Sequence, residues 1–180
     1  MTKISFQGER GAYSEMAALA YFESSADSGT STEFVTCETF HDALNSTENG
    51  ESKYTVQPIK NSIQGSVSES YDALYDTKLT AIGEIYQKID HCLLGKSEAD
   101  KIKTVYSHPQ ALGQCSDFIE KKSLKTIPTY DTAGSAAIIK ELDQDDIACI
   151  ASSNAARIYG LNIIHEGISN NLSNYTRFLI

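Results

Sequence analysis

The chain has 180 residues, 41% of them hydrophobic and 22% charged, which is ordinary for a globular protein and enough for one core or two small lobes. The net charge of −9 argues against a nucleic-acid-binding surface, because such surfaces need clustered Lys and Arg. An acidic protein that binds an anion must also provide a local positive site.

No apolar run approaches the roughly 20 residues that span a bilayer, and the first residues do not have the pattern of a secretory signal. The four cysteines, Cys37, Cys92, Cys115 and Cys149, are widely spaced. This spacing favours neither a zinc site nor a disulfide framework. We therefore expect reduced, mostly buried thiols in a cytoplasmic protein.

Hydrophobic periodicity and turn residues predict strands that alternate with helices. The segment 24–32 is typical of a surface loop, and the strand at 54–59 is expected to end near Pro58, because proline cannot donate to a ladder. The stretch 79–94 is extended and interrupted at Gly83, as one strand or as two. The other predicted strands cover 3–7, 33–37, 102–106, 124–130, 146–151, 161–165 and 175–180, and the helices cover 14–22, 39–45, 70–77, 107–122, 131–142 and 152–160.

This order predicts an α/β fold of two lobes, each a mixed, mainly parallel sheet with flanking helices. The extended stretch 79–94 would carry the chain to the second lobe, and the last strand would return it. We expect lobe 1 to comprise 1–77 with 168–180, and lobe 2 to comprise 78–167. Ligands of such folds bind between the lobes, so the active site is expected in the interlobe cleft.

Five polar loops stand where a strand ends and a helix begins. Free backbone N–H groups and the helix dipole make such positions anion sites without added positive charge. Simple helix capping is the better explanation for any one loop, whereas five together favour a binding site. The loops are Gly8–Ser14, Asn61–Ser66, Ser107–Gln110, Asp131–Ser135 and Ser152–Asn154.

No loop matches a nucleotide-binding fingerprint, so a nucleotide cofactor is not supported, and the four histidines are isolated from one another, so we predict no metal site. For His108, beside Ser107 and Pro109, a structural or orienting role is favoured over a catalytic acid.

In order along the chain, seven segments resemble prephenate dehydratases and, equally, the plant-type arogenate dehydratases. The tripeptide Thr176-Arg177-Phe178 is weak on its own, but seven segments with compatible spacing are specific and span nearly the whole chain. They are Gln7–Glu15, Pro58–Ser66, Gly83-Glu84 with His91–Leu94, Ser107–Cys115, Asp131–Ala137, Ala151–Leu161 and Asn174–Phe178.

The resemblance implies two α/β lobes like those of type II periplasmic binding proteins, a homo-oligomer, no metal and no cofactor. It implies a lyase that removes water and carbon dioxide from a small dicarboxylate, prephenate or arogenate. Thr176 would be the catalytic hydroxyl, and Asn61, Ser107 and Gln114 would be further catalytic residues that support the substrate and the leaving groups. Ser14, Ser62, Thr132, Ala133 and Gly134 would bind the substrate.

The chain departs from the family pattern in two ways. Lys60 and Gln64 stand where the family usually has acidic residues, which weakens any essential carboxylate role there. The sequence also stops at Ile180, where the family usually continues into an ACT regulatory domain. No ACT domain is therefore expected in this chain, which is either an excised catalytic domain or a protein without that control.

Strand alternation separates the residues of the C-terminal tripeptide. If Thr176 faces the cleft, Arg177 faces away and favours an ion pair, and Phe178 favours core packing. A binding module with the same fold and no chemistry is the alternative to an enzyme. A module of that kind would not need Asn61, Ser107, Gln114 and Thr176 together.

Overall fold

The computed structural model describes residues 2–23, 31–142 and 144–180; most of the predicted loop at 24–32 lies outside these ranges. Strands and helices alternate, as predicted. In chain order they are β1 (Thr2–Gln7), α1 (Tyr13–Glu23), β2 (Thr32–Cys37), α2 (Phe40–Glu48), β3 (Tyr54–Asn61), β4 (Gly65–Ser66), α3 (Ser68–Asp76), β5 (Glu84–Lys88), β6 (Cys92–Gly95), β7 (Thr104–Ser107), α4 (Pro109–Gln114), α5 (Ser116–Lys121), β8 (Lys125–Pro128), α6 (Gly134–Glu141), β9 (Ile147–Ala151), α7 (Ser153–Tyr159), β10 (Asn162–His165) and β11 (Tyr175–Leu179).

The chain divides into two compact units. Unit 1 comprises the described parts of Met1–Glu9, Tyr13–Ile89 and Asn174–Ile180, and unit 2 comprises Arg10–Ala12 and Asp90–Ser173. The sequence analysis instead predicts that the chain passes from lobe 1 to lobe 2 after residue 77 and returns to lobe 1 after residue 167. Strand β5 stays in unit 1 because it pairs with β11 from Glu84 to Lys88.

Each unit contains one mixed sheet, which confirms that part of the predicted fold class. In unit 1 the strand order is β2-β1-β3-β11-β5, with β4 beside β3. Its β2, β1 and β3 are parallel, whereas β11 runs antiparallel to both β3 and β5. In unit 2 the order is β10-β6-β9-β7-β8, where β9, β7 and β8 are parallel and β6 is antiparallel to its two neighbours.

The expectation that β3 ends near Pro58 is wrong, because the strand continues to Asn61. The register between β11 and β3 shifts between Arg177 and Phe178, which leaves Phe178 opposite Pro58. An irregularity of this kind interrupts the ladder, so a residue without an N–H group is tolerated there. The continued strand brings Asn61 opposite Thr176.

The single helix predicted for 107–122 is also wrong, since α4 and α5 are separated at Cys115. The N–H group of Cys115 donates to the carbonyl of Leu112 at 3.2 Å, three residues back rather than four. Gly113, with its low helix propensity, lies in the last turn of α4. The extended stretch 79–94, in contrast, forms two strands in different sheets, β5 and β6.

The core of unit 2 covers both faces of its sheet. All residues of β9 are buried, as expected for a central strand between two helical layers. Cys149 packs in a cluster with residues of α6 and α7, and Ile150 in a second cluster with residues of α4 and α5. In unit 1 the largest buried apolar side chains include Ile4, Phe6 and Phe178, which confirms the packing role of Phe178.

The cysteines are free thiols, with Cys37 half-buried and the other three buried. Burial raises the pKa of Cys92 to about 11, and it raises the pKa of Cys115 and of Cys149 to about 12. These three groups are therefore protonated thiols with low nucleophilicity near neutral pH. Among the described residues, no helix has the length and apolar character needed to cross a membrane.

Candidate active site

Thr176 lies on β11 between two neighbouring strands of unit 1. It is opposite Asn61 of β3 on one side and Gln87 of β5 on the other. Its side chain is largely buried, with a relative exposure of 9%. Directly opposite residues of a sheet share a face, so Asn61, Thr176 and Gln87 present their side chains on the same side.

The carboxamide of Asn61 fixes the position of the Thr176 hydroxyl. Its Oδ1 accepts from the backbone N–H groups of Ile63 at 2.9 Å and Gln64 at 3.0 Å. This identifies the oxygen and turns Nδ2 the other way, where it donates to Thr176 Oγ1 at 2.9 Å and to Asn174 Oδ1 at 2.8 Å. The turn after β3 therefore orients the amide that holds the hydroxyl.

Because Thr176 Oγ1 accepts a hydrogen bond from Asn61, its own proton points elsewhere. Within the part of the chain that the structure describes, no acceptor for this proton is found. A hydroxyl held as an acceptor on one side is an oriented donor on the other. The arrangement supplies one positioned O–H group for a bound molecule.

Two further residues complete the surroundings of Thr176. Asn174 is completely buried and accepts from Asn61 Nδ2. Ser62 exchanges two hydrogen bonds with Tyr175: its N–H donates to the Tyr175 carbonyl at 2.8 Å, and its Oγ accepts from the Tyr175 N–H at 2.9 Å. Ser62 thus secures the start of β11 and is itself exposed. The role of Asn174 was not predicted, although it lies in the matching segment Asn174–Phe178.

Arg177 forms the ion pair that strand alternation favoured. Its Nε donates to Glu84 Oε2 at 2.9 Å, and its Nη2 contacts the same oxygen. This hydrogen bonding raises the pKa of Arg177 above its ordinary value. Lys60, opposite Arg177 on β3, is exposed.

We expect Arg177→Gln to leave kcat close to the wild-type value, because exposed ion pairs contribute little and the guanidinium is paired with Glu84 instead of lying beside Thr176. Steady-state kinetics of this variant and of Glu84→Gln provide the measurement. A loss of kcat as large as that of a Thr176 variant would show that Arg177 acts on the substrate.

In unit 2, Ser107 is completely buried at the end of β7. Its Oγ donates to the carbonyl of Ile150 at 2.7 Å, so its proton is committed to the neighbouring strand β9. The N–H of Thr129 donates to the Ser107 carbonyl at 2.9 Å. The hydroxyl therefore ties strands together, and the catalytic role expected for Ser107 stays a prediction.

Gln114, at the end of α4, is oriented by a histidine that the sequence reasoning treated as isolated. Its Oε1 lies 2.8 Å from Nε2 of His91, which is 3% exposed. The amide oxygen requires Nε2 to carry the proton. Burial lowers the pKa of His91, so the ring is neutral near pH 7. The sequence indicated His91 only through the segment His91–Leu94, which resembles the prephenate dehydratases.

The neutral state of His91 predicts a loss of stability in acid. The unfolded state takes up a proton near pH 6.5, whereas the folded state resists it, so the stability is present above pH about 6.5 and falls as the pH decreases. Denaturant unfolding between pH 5 and 8 measures this slope. We expect the slope to be shallower in His91→Gln and unchanged in a control with the exposed His41 replaced by Gln; equal slopes in all three proteins would refute the assignment.

The other polar loops of unit 2 show capping. His108 Nδ1 accepts from the Gln110 N–H at 3.2 Å, which supports the orienting role favoured for His108. Ser152 Oγ accepts from the Ala155 N–H at 3.0 Å and donates to the Gly11 carbonyl at 2.6 Å. Gly11 has a φ of +90°, and a Cβ atom there would lie 2.8 Å from the Cα of Ala155. This segment therefore requires glycine.

The remaining predicted site residues lie in both units. Ser14 is buried near the start of α1 in unit 1. Thr132, Ala133 and Gly134 lie at the start of α6 in unit 2, where the Gly134 N–H donates to Asp131 Oδ1 at 2.6 Å. No backbone or side-chain acceptor within the described ranges receives the N–H groups of Thr132 and Ala133. The structure brings together Asn61, Ser62 and Thr176; the position of the complete site between the lobes stays a prediction.

Metal ligands are not clustered in the described ranges: they contain no group of three or more His, Cys, Asp or Glu side chains that could hold a metal ion.

The relatives that match almost the whole chain include two with the following descriptions. A protein of Arabidopsis thaliana described as arogenate dehydratase/prephenate dehydratase 1 is 41% identical over 180 residues, which cover 99% of this chain and 44% of the relative. A bifunctional chorismate mutase/prephenate dehydratase of Enterobacter agglomerans is 36% identical over 185 residues, with 99% and 46% covered. The chain thus spans less than half the length of these relatives.

Solved structures with differently described functions resemble the chain in fold. A prephenate dehydratase from Arthrobacter aurescens, in complex with L-Phe, has a TM-score of 0.86 and 27% identity, covering 99% of this chain and 59% of that chain. GqqA, described as a quorum-quenching acylase, has a TM-score of 0.86 and 30% identity, covering 98% and 62%. The methionine-binding protein MetQ, with a TM-score of 0.51 and 13% identity, covering 98% and 82%, shares only the fold.

These likenesses confirm two α/β units of the type II periplasmic-binding-protein kind. The family model described as prephenate dehydratase matches residues 4–180. The chain therefore belongs to the prephenate dehydratase family.

Proposed function

We propose that the chain is a lyase of the prephenate dehydratase type, which converts prephenate to phenylpyruvate by decarboxylative dehydration. Membership of the family supports this reaction, and the relatives named as arogenate dehydratases make arogenate the alternative substrate. The observation that carries the proposal is the hydrogen bond from Asn61 to Thr176, which leaves an oriented hydroxyl donor.

The reaction needs a donor at the departing oxygen. Prephenate carries two carboxylates and a ring hydroxyl; loss of one carboxylate as carbon dioxide and of the hydroxyl as water makes the ring aromatic. Negative charge develops on the leaving oxygen, and the Thr176 O–H donates a hydrogen bond to it. A threonine hydroxyl is a weak acid, so the proton of the product water arrives through solvent or a neighbouring group.

The substrate carboxylates need different surroundings. The carboxylate that leaves as carbon dioxide loses its charge in the transition state, so a less polar position favours reaction. The side-chain carboxylate keeps its charge and needs donors. The N–H groups of Thr132 and Ala133 support such a role, and we assign Ser14, Ser62 and Gly134 to the same binding function. Asn61 positions the Thr176 hydroxyl. We assign Gln114 to substrate binding and keep Ser107 as a candidate catalytic residue.

The same geometry distinguishes a lyase from an acyl-transfer enzyme. A nucleophilic threonine needs a neighbouring base that removes its proton. The partner of Thr176 is instead an amide N–H donor, which cannot accept that proton. This arrangement supports hydrogen-bond donation over nucleophilic attack.

The test is the incubation of purified protein with prephenate and, separately, with arogenate. We expect phenylpyruvate from prephenate. Faster formation of phenylalanine from arogenate would assign the alternative substrate, and no product from either would favour a binding module. The cytoplasmic location and the homo-oligomeric state inferred from the sequence stay predictions.

A further inference from the structure

Strand β5 forms one edge of the sheet in unit 1. It stands last in the strand order, beside β11, and the register between the two strands is continuous along β5. Just beyond β5, the Ile89 N–H donates to the Asn174 carbonyl at 2.9 Å. Hydrogen bonding alternates along an antiparallel pair, so every second residue from Ile89 back faces β11 with its backbone groups. The intervening Glu84, Tyr86 and Lys88 turn their backbone N–H and C=O groups to the outer edge.

The side chains at this edge are exposed. Glu84, Tyr86 and Lys88 are exposed, whereas the two residues between them are less so. Of the described helices and strands, α1 and β11 are those in extensive contact with β5. Because α1 also contacts β1 and β3, it lies against a face of the sheet instead of its edge. An open strand edge is a template for pairing with another chain.

Aromatic surface lies beside the edge. Tyr86 is 62% exposed, and Tyr71 of α3 is 45% exposed. Both tyrosines interact electrostatically with Arg177, the register partner of Tyr86 on β11, so they lie on the same side of the sheet. Tyr and Arg are enriched in protein–protein interfaces. This composition favours a protein partner for the edge.

The sequence of this edge is complementary to itself. When two copies of β5 pair antiparallel about Tyr86, Glu84 of each copy lies opposite Lys88 of the other, and the two tyrosines are neighbours. Since these residues face the edge, each opposite pair can exchange both N–H···O=C bonds. The Lys88 carbonyl also accepts from Gln87 Nε2 at 2.9 Å, which does not exclude a second bond because a carbonyl oxygen has two lone pairs. Opposite charges and aromatic pairs directly across a ladder are stabilising.

The other edge strands lack this complementarity. Strand β2 has an acidic residue and no basic one, and β8 has a lysine and no acidic residue. Strands β4 and β10 contain no Asp, Glu, Lys or Arg. The acidic residue of β2, Glu33, forms an ion pair with Lys3 of the adjacent strand at 3.2 Å. Among the edges within the described ranges, self-complementary charge is therefore specific to β5.

We propose that β5 is the surface through which two copies of the chain associate, as an antiparallel pair of edge strands with a two-fold axis at Tyr86. A symmetric contact of this kind uses the same patch on both copies and closes as a dimer. It joins the sheets of the two copies of unit 1, and it stabilises the strand whose Gln87 lies opposite Thr176. A strand of five residues makes a small interface, so the dimer is weak and depends on concentration.

Sedimentation velocity across roughly a hundredfold range of concentration measures the association. We expect the wild-type protein to pass from monomer to dimer. Lys88→Glu and Glu84→Lys should each weaken the dimer at least about tenfold, because each places like charges opposite one another on both sides of the axis. Lys101→Glu, the same charge reversal at an exposed position of unit 2, should leave association unchanged. Association is measured without substrate, so the result is independent of the proposed reaction.

A mixture of Lys88→Glu and Glu84→Lys proteins tests the register itself. In the mixed dimer a copy with two lysines faces a copy with two glutamates, so opposite charges are restored. We expect the mixture to associate more tightly than either variant alone. A wild type that stays monomeric, with Lys88 only protecting the edge, would overturn the proposal. So would a mixture no tighter than its components.

Amide hydrogen exchange of the wild-type protein gives a readout that needs no variant. The Tyr86 N–H should exchange more slowly as the protein concentration rises, because it enters the ladder between the two copies. Exchange of this N–H that does not change with concentration would contradict the pairing.

Discussion

Replacing Thr176 with Val should lower kcat for prephenate by about 10²-fold or more while KM changes little. Valine keeps the β-branched shape that suits β11 and removes only the hydroxyl. An oriented donor at a developing oxyanion typically contributes about 3 kcal/mol to transition-state stabilisation. Because that contribution is absent from the ground state, the loss should appear in kcat.

Thr176→Ser is the matched control, since it retains the hydroxyl that Asn61 binds. Its kcat should lie much closer to wild type than that of Thr176→Val. Wild-type turnover in the valine variant would remove Thr176 from the mechanism. A rise of KM without a fall of kcat would reassign it to ground-state binding.

Asn61→Asp should abolish most of the activity by turning the Thr176 hydroxyl around. The introduced carboxylate keeps an oxygen for the N–H groups of Ile63 and Gln64, so the turn after β3 is preserved. It replaces the N–H donor that faces Thr176 by an acceptor. The hydroxyl then donates to this carboxylate instead of to the substrate, and kcat falls by a factor similar to that of Thr176→Val.

The stability of this variant separates orientation from unfolding. The bond to Thr176 is reversed in this variant, but the bond donated to buried Asn174 is lost, which should lower the free energy of unfolding by about 1–3 kcal/mol, measured by urea denaturation. Asn45→Asp, the same chemical change at an exposed position of α2, should alter neither stability nor kcat appreciably. Full activity of a folded Asn61→Asp protein would contradict the orienting role.

Local chemistry correctly predicted the end of α7 and the alternation of side chains along β11. Helix α7 stops at Gly160, which has the left-handed φ of 68° that glycine adopts without strain. Period-two alternation separated Thr176 from Arg177, and the ion pair of Arg177 with Glu84 agrees with it. Such features depend on a few neighbouring residues, so they can be predicted from the local sequence.

The features that local reasoning missed depend on contacts between distant segments. Pro58 remains within β3 because β11, more than a hundred residues later, is irregular where it meets the proline. Asn174 and His91 became functional candidates only through their contacts with Asn61 and Gln114. The propensities of a single segment cannot predict contacts of this kind, although both residues lie in segments that resemble the family.

A double-mutant cycle on Asn61 and Thr176 shows whether Asn61 acts through the Thr176 hydroxyl, because the orienting role gives Asn61 no effect on kcat by any other route. The measurement is kcat for prephenate in wild type, Asn61→Asp, Thr176→Val and the double variant. We predict that Asn61→Asp lowers kcat strongly in wild type and hardly at all once Thr176 is Val. Two losses that simply multiply would show that the residues act independently, and would contradict the account of an amide that orients a catalytic hydroxyl.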